Sequence, residues 1–376
     1  MLGHRRMAIQ VLAVLGWTLL ALIALDAACG LIARPPRDPQ KAGNALQVYF
    51  NYGTSIEAKL RRQLGATPGR EASILKAGWL SGECATRRIE PDPRGVSIYG
   101  MSFSNHVADQ LALLDPKLPI ARFAGPGAPP NHSYACFLRR NEAGIDGNGT
   151  QILGILASSL RRMETLSGAS TTFEQPQPFA YPRFVLRNGT LMRIDPAIDD
   201  AAGLRRLLSD HHAWTRYIAD LTRSDRFASP FMANHDLVDA SVLLRMVRRA
   251  WGQRELNDRT AALRGPTGRF EGAPDLVPTL QAIVTDFARR ARARGQRPIV
   301  LLFEDRGYDG VLRDTMVPTL AANQIPYILS ADIIPATDAS VFLPDGHFRP
   351  DLDRKLAEAT LPLIETPSLG SIRGHR

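Results

Sequence analysis

The chain has 376 residues, 44% of them hydrophobic and 22% charged, and it contains three cysteines. This composition excludes an intrinsically disordered chain, a disulfide-stapled mini-domain and a multi-pass transporter, and the length allows one large domain or two smaller ones. The net charge of +9 is carried by short, scattered Arg pairs rather than a basic block, so it favours solvated helix faces, and we expect no nucleic-acid partner.

The longest apolar run lies at the amino terminus. Arg5–Arg6 precede the nineteen residues Met7–Leu25, which contain no charged residue and would span about 28 Å as a helix, close to the hydrocarbon thickness of a bilayer. The preceding positive charges predict a cytoplasmic amino terminus and a periplasmic or other extracytoplasmic remainder. A cleaved signal peptide and a lipid-modified Cys29 are the alternatives, but Asp26 fits both signals poorly. We predict a signal anchor over residues 1–34 that crosses the inner membrane once.

The other two cysteines would lie in an oxidising compartment under this topology. Cys84 and Cys136 could then form a disulfide, or they could be two small buried thiols. No Cys/His cluster has the spacing of a zinc site, and His211–His212 falls in a polar helical stretch, where we expect solvent-facing side chains. We therefore predict no metal and no cofactor.

After a linker over residues 35–45, strand and helix patterns alternate through a domain predicted for residues 46–370. Such alternation predicts a three-layer α/β/α sandwich around a parallel sheet. The predicted strands are Val96–Tyr99, Pro119–Phe123, Gln151–Leu156, Pro298–Phe303 and Pro326–Leu329. The predicted helices cover Phe103–Leu114 and residues 276–294, 313–323 and 350–364.

The stretch from about residue 166 to 270 interrupts that alternation. Phe179–Ile194 predicts a hairpin, because β-prone segments flank Asn188–Gly189, a strong turn dipeptide. Helical patterns follow near residues 202–223 and 237–262. We interpret this region as an insertion, or cap, over the sheet.

Candidate catalytic residues lie at both ends of the sheet region. Ser102 follows the first strand in the turn Gly100-Met-Ser-Phe-Ser104, where a serine would be exposed at the carboxyl edge of the sheet beside helix amides that can stabilise an oxyanion. Asp345 and His347 lie together in a loop before the last helix. His347 could take the proton from Ser102 while Asp345 orients the imidazole. Each motif is weak by itself, and their order along the chain carries the hypothesis.

That order resembles the SGNH/GDSL hydrolase family, an α/β/α fold of esterases and acyl transferases, between residues 94 and 365. The first block of the family implies a nucleophile at Ser102, and the last block implies an acid at Asp345 and a base at His347. Phe123-Ala-Gly-Pro-Gly127 looks like the second block, which implies an oxyanion donor at Gly127 or, less well matched, Gly125. The segment from Tyr49 to Glu57 also resembles one that precedes this domain in membrane-anchored members linked to bacterial exopolysaccharides.

Three departures from the family pattern affect the expected activity. Met101 replaces the usual Asp beside the nucleophile, and one residue, rather than two, separates Asp345 from His347. The third block usually supplies an oxyanion-binding Asn, and the matching stretch offers only the hydroxyl of Ser158 or Ser159. Loss of one such donor typically costs about 2.7–4 kcal/mol of transition-state stabilisation.

The resemblance implies a serine-dependent esterase or O-acyltransferase that acts on acyl esters of a carbohydrate or exopolysaccharide. The oxyanion donors would be the amides of Ser102 and Gly127 with the hydroxyl of Ser158. The anchor would hold the domain at the outer face of the inner membrane, near polysaccharide-assembly proteins. The alternative is a catalytically inactive scaffold or polysaccharide-binding protein that keeps the same fold.

Overall fold

The computed structural model describes residues 2–82, 84 and 88–365. The predicted end of the domain at residue 370 lies outside the described residues. The longer helices are α1 (Leu2–Ile32), α2 (Ala45–Asn51), α3 (Ile56–Leu64), α4 (Ser102–Leu114), α5 (Pro130–Ala143), α6 (Ala201–Leu208), α7 (His211–Leu221), α8 (Val242–Arg264), α9 (Leu276–Ala293), α10 (Val311–Ala322) and α11 (Pro350–Glu365). Short helical segments lie at Ser73–Lys76, Ala157–Glu164, Gly168–Thr171, Pro230–Ala233, Leu237–Ala240, Ser330–Asp332 and Ala339–Val341.

The described chain has the strands β1 (Ile89–Gly100), β2 (Ile120–Ala124), β3 (Asp146–Leu156), β6 (Arg297–Phe303) and β7 (Tyr327–Leu329). These five strands form a parallel sheet in the order β2-β1-β3-β6-β7. The α/β prediction with a central parallel sheet is confirmed. Because β1 lies between β2 and β3, the turns that follow these strands emerge side by side at the carboxyl edge.

Apolar side chains alternate between the two faces of the sheet, so each face carries its own core. Ile98 packs with α4 and α11 on one face, and its neighbour Tyr99 packs with α5, α9 and α10 on the other. Ile299 and Val300 in β6 divide in the same way. This period of two, with both faces buried, explains the continuous apolar run of β6 and gives the sheet two covering helix layers.

The interrupting region folds as its turn signal and helical patterns indicate. The hairpin consists of β4 (Arg183–Arg187) and β5 (Thr190–Ile194), and Asn188 and Gly189 both have positive φ, as a tight hairpin turn requires. The pattern at residues 202–223 divides into α6 and α7, because Asp210 caps a new helix. These helices pack with α3 in a separate apolar cluster beside the sheet.

Helix α5 was not predicted from the sequence, and it carries Cys136, whose pairing the sequence left open. The helix begins at Pro130, shortly after Gly127, where the sequence patterns predicted no helix. Proline is accepted at the first helical position because the amide there needs no intrahelical partner. In addition, Cys136 forms a disulfide with Cys84, which selects the bridge over two free thiols.

One described helix is long and apolar enough to span a membrane. Its apolar stretch, Ile9–Ile32, has a mean hydropathy of 2.2, and no side chain in the most apolar part of this stretch is buried in the folded protein. The carboxyl end of α1 is nevertheless joined to the folded part. The Asn51 side chain donates to the carbonyl of Ala33 over 2.7 Å, and Gln47 donates to that of Arg34 over 2.8 Å.

Candidate active site

Ser102 is the first residue of α4, directly after β1. Its position depends on two glycines, because the hydroxyl of the buried Ser104 lies between Gly100 of β1 and Gly154 of β3. A Cβ atom at Gly100 would lie 2.1 Å from Oγ of Ser104, and one at Gly154 would lie 2.0 Å from it. The glycines therefore let the amino end of α4 approach the sheet edge, where the first amides of a helix lack intrahelical acceptors.

Met101 occupies the position where the family pattern has Asp. Its side chain is fully buried and packs with Ile152 and Leu301 in the core beneath α4. The Met101 side chain therefore packs in the core beneath the turn, and it places no charged group at the solvent-facing edge of the sheet.

Ser102 lies beside His347 in the folded chain. Oγ of Ser102 is 2.7 Å from Nε2 of His347, within hydrogen-bond distance, and the imidazole is about one-quarter exposed. The histidine loop is closed by a turn in which the amide of Gly346, with φ of 90°, donates to Leu343. Phe348, fully buried, fixes the other end of this loop. A hydroxyl and an imidazole at this distance can exchange a proton, as nucleophilic catalysis requires.

Asp345 lies near the second nitrogen of the imidazole but is poorly aligned with it. Oδ2 of Asp345 is 3.1 Å from Nδ1 of His347, an ion-pair distance, yet that nitrogen has no hydrogen-bond partner of good geometry. The other carboxylate oxygen accepts the backbone amide of His347 over 3.1 Å, and this bond is the main reason that the pKa of Asp345 is lowered. The Asp345 side chain is 65% exposed, so water screens its interaction with the imidazole.

A second imidazole, not identified from the sequence, lies beside the first. His106 is one helical turn after Ser102, and its ring centroid is 4.8 Å from that of His347. Nδ1 of His106 is 3.4 Å from Oδ2 of the buried Asp353 on α11. Burial, followed by the nearby charge of His347, lowers the pKa of His106. The spacing of four from Ser102 is the signal that could have placed His106 on this face of α4.

Burial also affects the carboxyl group of Asp353. Desolvation, with smaller contributions from Asp109 and Asp351, raises the pKa of Asp353 to about 7. A protonated Asp353 leaves His106 without an anionic partner, so near neutral pH this pair can change its charge next to His347.

Gly127 lies in the loop after β2 and has φ of 58°. Nη1 of Arg162 donates to its carbonyl oxygen over 2.5 Å, and the same nitrogen donates to Oε1 of Gln177 over 2.9 Å. A Cβ atom on Gly127 would lie 2.3 Å from that guanidinium nitrogen, so the close approach of Arg162 requires glycine. Arg162 therefore fixes the loop that carries the predicted oxyanion donor.

Ser158 and Ser159 follow β3, and both make bonds within the protein. The amide of Ser158 donates to Oδ1 of Asp305 over 3.0 Å, and its hydroxyl also interacts with that carboxylate. Burial raises the pKa of Asp305. The hydroxyl of Ser159 donates to the carbonyl of Leu156 over 2.7 Å. The hydroxyl of Ser158, the predicted third oxyanion donor, thus lies beside an acidic side chain, which sequence spacing did not indicate.

A cleft of about 460 Å³ lies between the segment after α1, helices α2 and α3, and the loop around residue 175. Its polar lining includes Tyr52, Arg62, Gln63 and Gln177. Gln177 also bonds Arg162, so one guanidinium links this cleft to the Gly127 loop. Amide, hydroxyl and guanidinium groups are suited to bonding the hydroxyls of a sugar.

The predicted solvent-facing pair His211–His212 lies at the start of α7. Both side chains are exposed, and Nδ1 of His211 lies 2.9 Å from Oε2 of the buried Glu57 on α3. Between residues 2 and 365, excluding 83 and 85–87, no cluster of three or more His, Cys, Asp or Glu side chains could hold a metal ion.

Comparisons of the chain with protein-family models, curated proteins and solved structures gave no match.

Proposed function

We propose that this protein is a serine-dependent esterase or O-acyltransferase of the SGNH/GDSL type, acting on acyl esters of a carbohydrate. The observation that carries the proposal is the 2.7 Å separation of Ser102 Oγ and His347 Nε2 at the carboxyl edge of a parallel sheet. Ligands of open α/β sheets bind at this edge, where the loops after the strands meet.

In the proposed reaction, Oγ of Ser102 attacks the ester carbonyl carbon while its proton passes to Nε2 of His347. This role requires the imidazole tautomer with its proton on Nδ1, the nitrogen nearer to Asp345. The tetrahedral intermediate then expels the sugar oxygen, which takes the proton from Nε2 and leaves an acyl group on Ser102. Water or a second sugar hydroxyl attacks that acyl-enzyme, giving hydrolysis or transfer respectively.

The negative charge of the intermediate needs hydrogen-bond donors. The amide of Ser102, at the amino end of α4, supplies one, and the loop of Gly127 supplies a second. The Ser158 amide donates to Asp305 and its hydroxyl interacts with the same carboxylate, so we propose a site with these two backbone donors and no third donor from a side chain. We therefore infer a slower enzyme than one with a complete oxyanion site.

The proposed location is the outer face of the inner membrane, with α1 as the anchor. The disulfide between Cys84 and Cys136 supports an oxidising compartment for the folded part, because such bridges are rare in the cytosol. The polar cleft joined to Arg162 is a candidate position for a carbohydrate chain. Polysaccharide-assembly proteins of the envelope are the proposed partners.

A catalytically inactive scaffold or polysaccharide-binding protein is the second candidate function. The bonding of Ser158 to Asp305, where the family pattern has an oxyanion donor, favours it. The misaligned, exposed Asp345 favours it as well. Under this hypothesis the cleft would bind a sugar chain without cleaving an ester.

Hydrolysis of an aryl acetate by the full-length protein in detergent tests the proposal. We expect slow turnover and covalent labelling of the protein by a fluorophosphonate, with Ser102→Ala abolishing both. Ser209→Ala is the matched control, because that exposed hydroxyl at the end of α6 donates to the carbonyl of Arg206 in the same helix. Activity that survives Ser102→Ala would refute the nucleophile, and binding of polysaccharide without turnover or labelling would favour the scaffold.

A further inference from the structure

Helix α8 of the inserted region carries an apolar stripe on its outer face. Leu244, Val247 and Trp251 are 48%, 63% and 60% exposed, and their spacing of three and four places them on one side of the helix. Leu237, in the short helical segment just before α8, is 88% exposed. The adjoining side of α8 packs into the protein through the buried Arg248 and Gly252. The stripe is therefore an uncovered surface of a helix that is packed against the protein on the side next to it.

The amino end of α8 is bonded directly to α1. Oδ1 of Asp26 accepts the hydroxyl of Ser241 over 3.0 Å and the amide of Leu243 over 2.8 Å. Gly30 lies close beside Val242, since a Cβ atom built on it would be 3.7 Å from that side chain. Asp26 thus caps α8 with the only acidic side chain of α1, which explains its presence within the apolar stretch.

This junction joins the carboxyl end of the apolar helix α1 to the amino end of α8, where the stripe begins at Leu244. Leu31 and Ile32, in the last turn of α1, are 76% and 64% exposed, and they lie just beyond the Asp26 and Gly30 contacts with α8. Arg245, in the first turn of α8, also donates to Oδ1 of Asn51, the residue that holds the end of α1. The direction of α8 relative to α1 is therefore held by several bonds.

We propose that the apolar stripe of α8, defined as Leu237, Leu244, Val247 and Trp251, lies in the lipid headgroup region of the bilayer that α1 enters. The proposal rests on the assignment of α1 as a membrane anchor. Amphipathic helices bury their apolar face roughly 5–10 Å into this region, and Trp is enriched there. The bonds between Asp26 of α1 and the amino end of α8 place the stripe next to the anchor, and this position selects the bilayer over a second copy of the chain or another protein. The stripe would hold the inserted region against the membrane and fix the orientation of the catalytic domain above it.

Trp fluorescence of the full-length protein in nanodiscs that contain brominated lipids tests whether the stripe lies in the headgroup region. In a Trp17→Phe background, the remaining Trp79 and Trp214 are buried in the protein, and Trp251 is the exposed reporter. The emission of Trp251 is the part that is lost when Trp251→Phe is added to this background. We expect lipids brominated near the headgroup to quench most of that emission. Emission from Trp251 that is unquenched by these lipids would overturn the proposal, whether water or a second copy covers it.

A charge placed on the stripe gives a second measurement. Val247→Glu should sharply reduce quenching of Trp251, whereas Leu113→Glu, at a 68% exposed position on α4, should leave it unchanged. Intact Cys84–Cys136 disulfide and unchanged near-UV circular dichroism would show that both variants fold. Equal quenching in Val247→Glu and the parent would contradict the proposal.

The mass of the membrane-extracted protein separates the two levels of inference. If the protein retains residues 1–28 but Trp251 is unquenched, only the membrane contact of the α8 stripe is refuted. If the mature protein lacks those residues, both the membrane anchor and the membrane contact of α8 are refuted. Neither result depends on esterase activity.

Discussion

Oγ of Ser102 and Nε2 of His347 are 2.7 Å apart, although 245 positions separate the two residues in the chain. The contact forms because Ser102 begins α4, which packs against α11, and His347 lies in the loop just before α11. The side chains of Phe103 and Phe348 pack edge to face beneath the pair, with ring centroids 5.1 Å apart. Apolar packing between two helices on one face of the sheet therefore positions the polar pair above it.

The unequal placement of Asp345 and His347 predicts unequal losses. His347→Ala should lower kcat nearly as much as Ser102→Ala, and the double variant should be little worse, because the two groups act as one unit. Asp345→Asn should cost clearly less than the roughly 10⁴-fold loss typical of a buried triad aspartate, because Asp345 is exposed and misaligned. Steady-state aryl acetate kinetics measure all four proteins. Equal losses for Asp345→Asn and His347→Ala would contradict this interpretation.

Ser158 provides a test of the oxyanion site. The amide of Ser158 donates to Asp305, and its hydroxyl interacts with the same carboxylate. Ser158→Ala should therefore lower kcat by much less than the roughly 10²–10³-fold loss typical of a removed oxyanion donor. Ser159→Ala is a neighbouring control, since its hydroxyl bonds a main-chain carbonyl. A loss of kcat within that typical range in Ser158→Ala, with KM unchanged, would show that the Ser158 hydroxyl is an oxyanion donor after all.

The raised pKa of Asp353 predicts a pH-dependent stability. Its value of about 7 lies above the ordinary value for an unfolded chain, so the folded state holds its proton over a range where the unfolded state has lost it. The stabilisation contributed by protonated Asp353 is complete below about pH 4 and is lost as the pH rises through about 7. Asp353→Asn should therefore have a Tm that rises relative to the parent between pH 5 and pH 8. A constant difference in Tm across that range would contradict the assignment.

The contact of Gly154 with Ser104 predicts a compensating pair of substitutions. Gly154→Ala places a methyl group 2.0 Å from Oγ of Ser104 and should destabilise the fold by about 1–3 kcal/mol, the usual cost of overpacking. Ser104→Ala removes that oxygen, so the double variant should recover part of the loss. Urea unfolding of the two single variants and the double variant measures the coupling. Strictly additive losses would show that the Ser104 hydroxyl is not the limiting contact.

Much of the local structure followed from sequence patterns. The unbroken apolarity of Pro298–Phe303 predicted a strand covered on both faces, and Asn188–Gly189 predicted the hairpin turn. Helix α5 was missed because its first residues, Pro130 and Asn131, have the composition of a loop, and only the observed position of Pro130 at the helix start resolves the ambiguity.

Some residues of the candidate site could be named from the sequence, and others could not. Ser102 and His347 could be named from strand-to-turn position and motif order, and their separation of 2.7 Å is compatible with the predicted roles, which remain to be tested. The spacing of four from Ser102 could have indicated His106, but Arg162 and Asp305 could not be named, because each bonds a segment that is distant in the sequence.

The sequence by itself determined the apolar length of α1, the alternation of strands and helices, and the residue types available for acyl chemistry. These properties depend on near neighbours along the chain, through hydrophobic period, turn preference and helix capping. Only the tertiary structure decided the strand order, the pairing of Cys84 with Cys136, the bonding of Ser158 to Asp305 and the bonding of Asp26 to the start of α8. Each of these contacts depends on how separate elements pack in space, and no local periodicity encodes that packing.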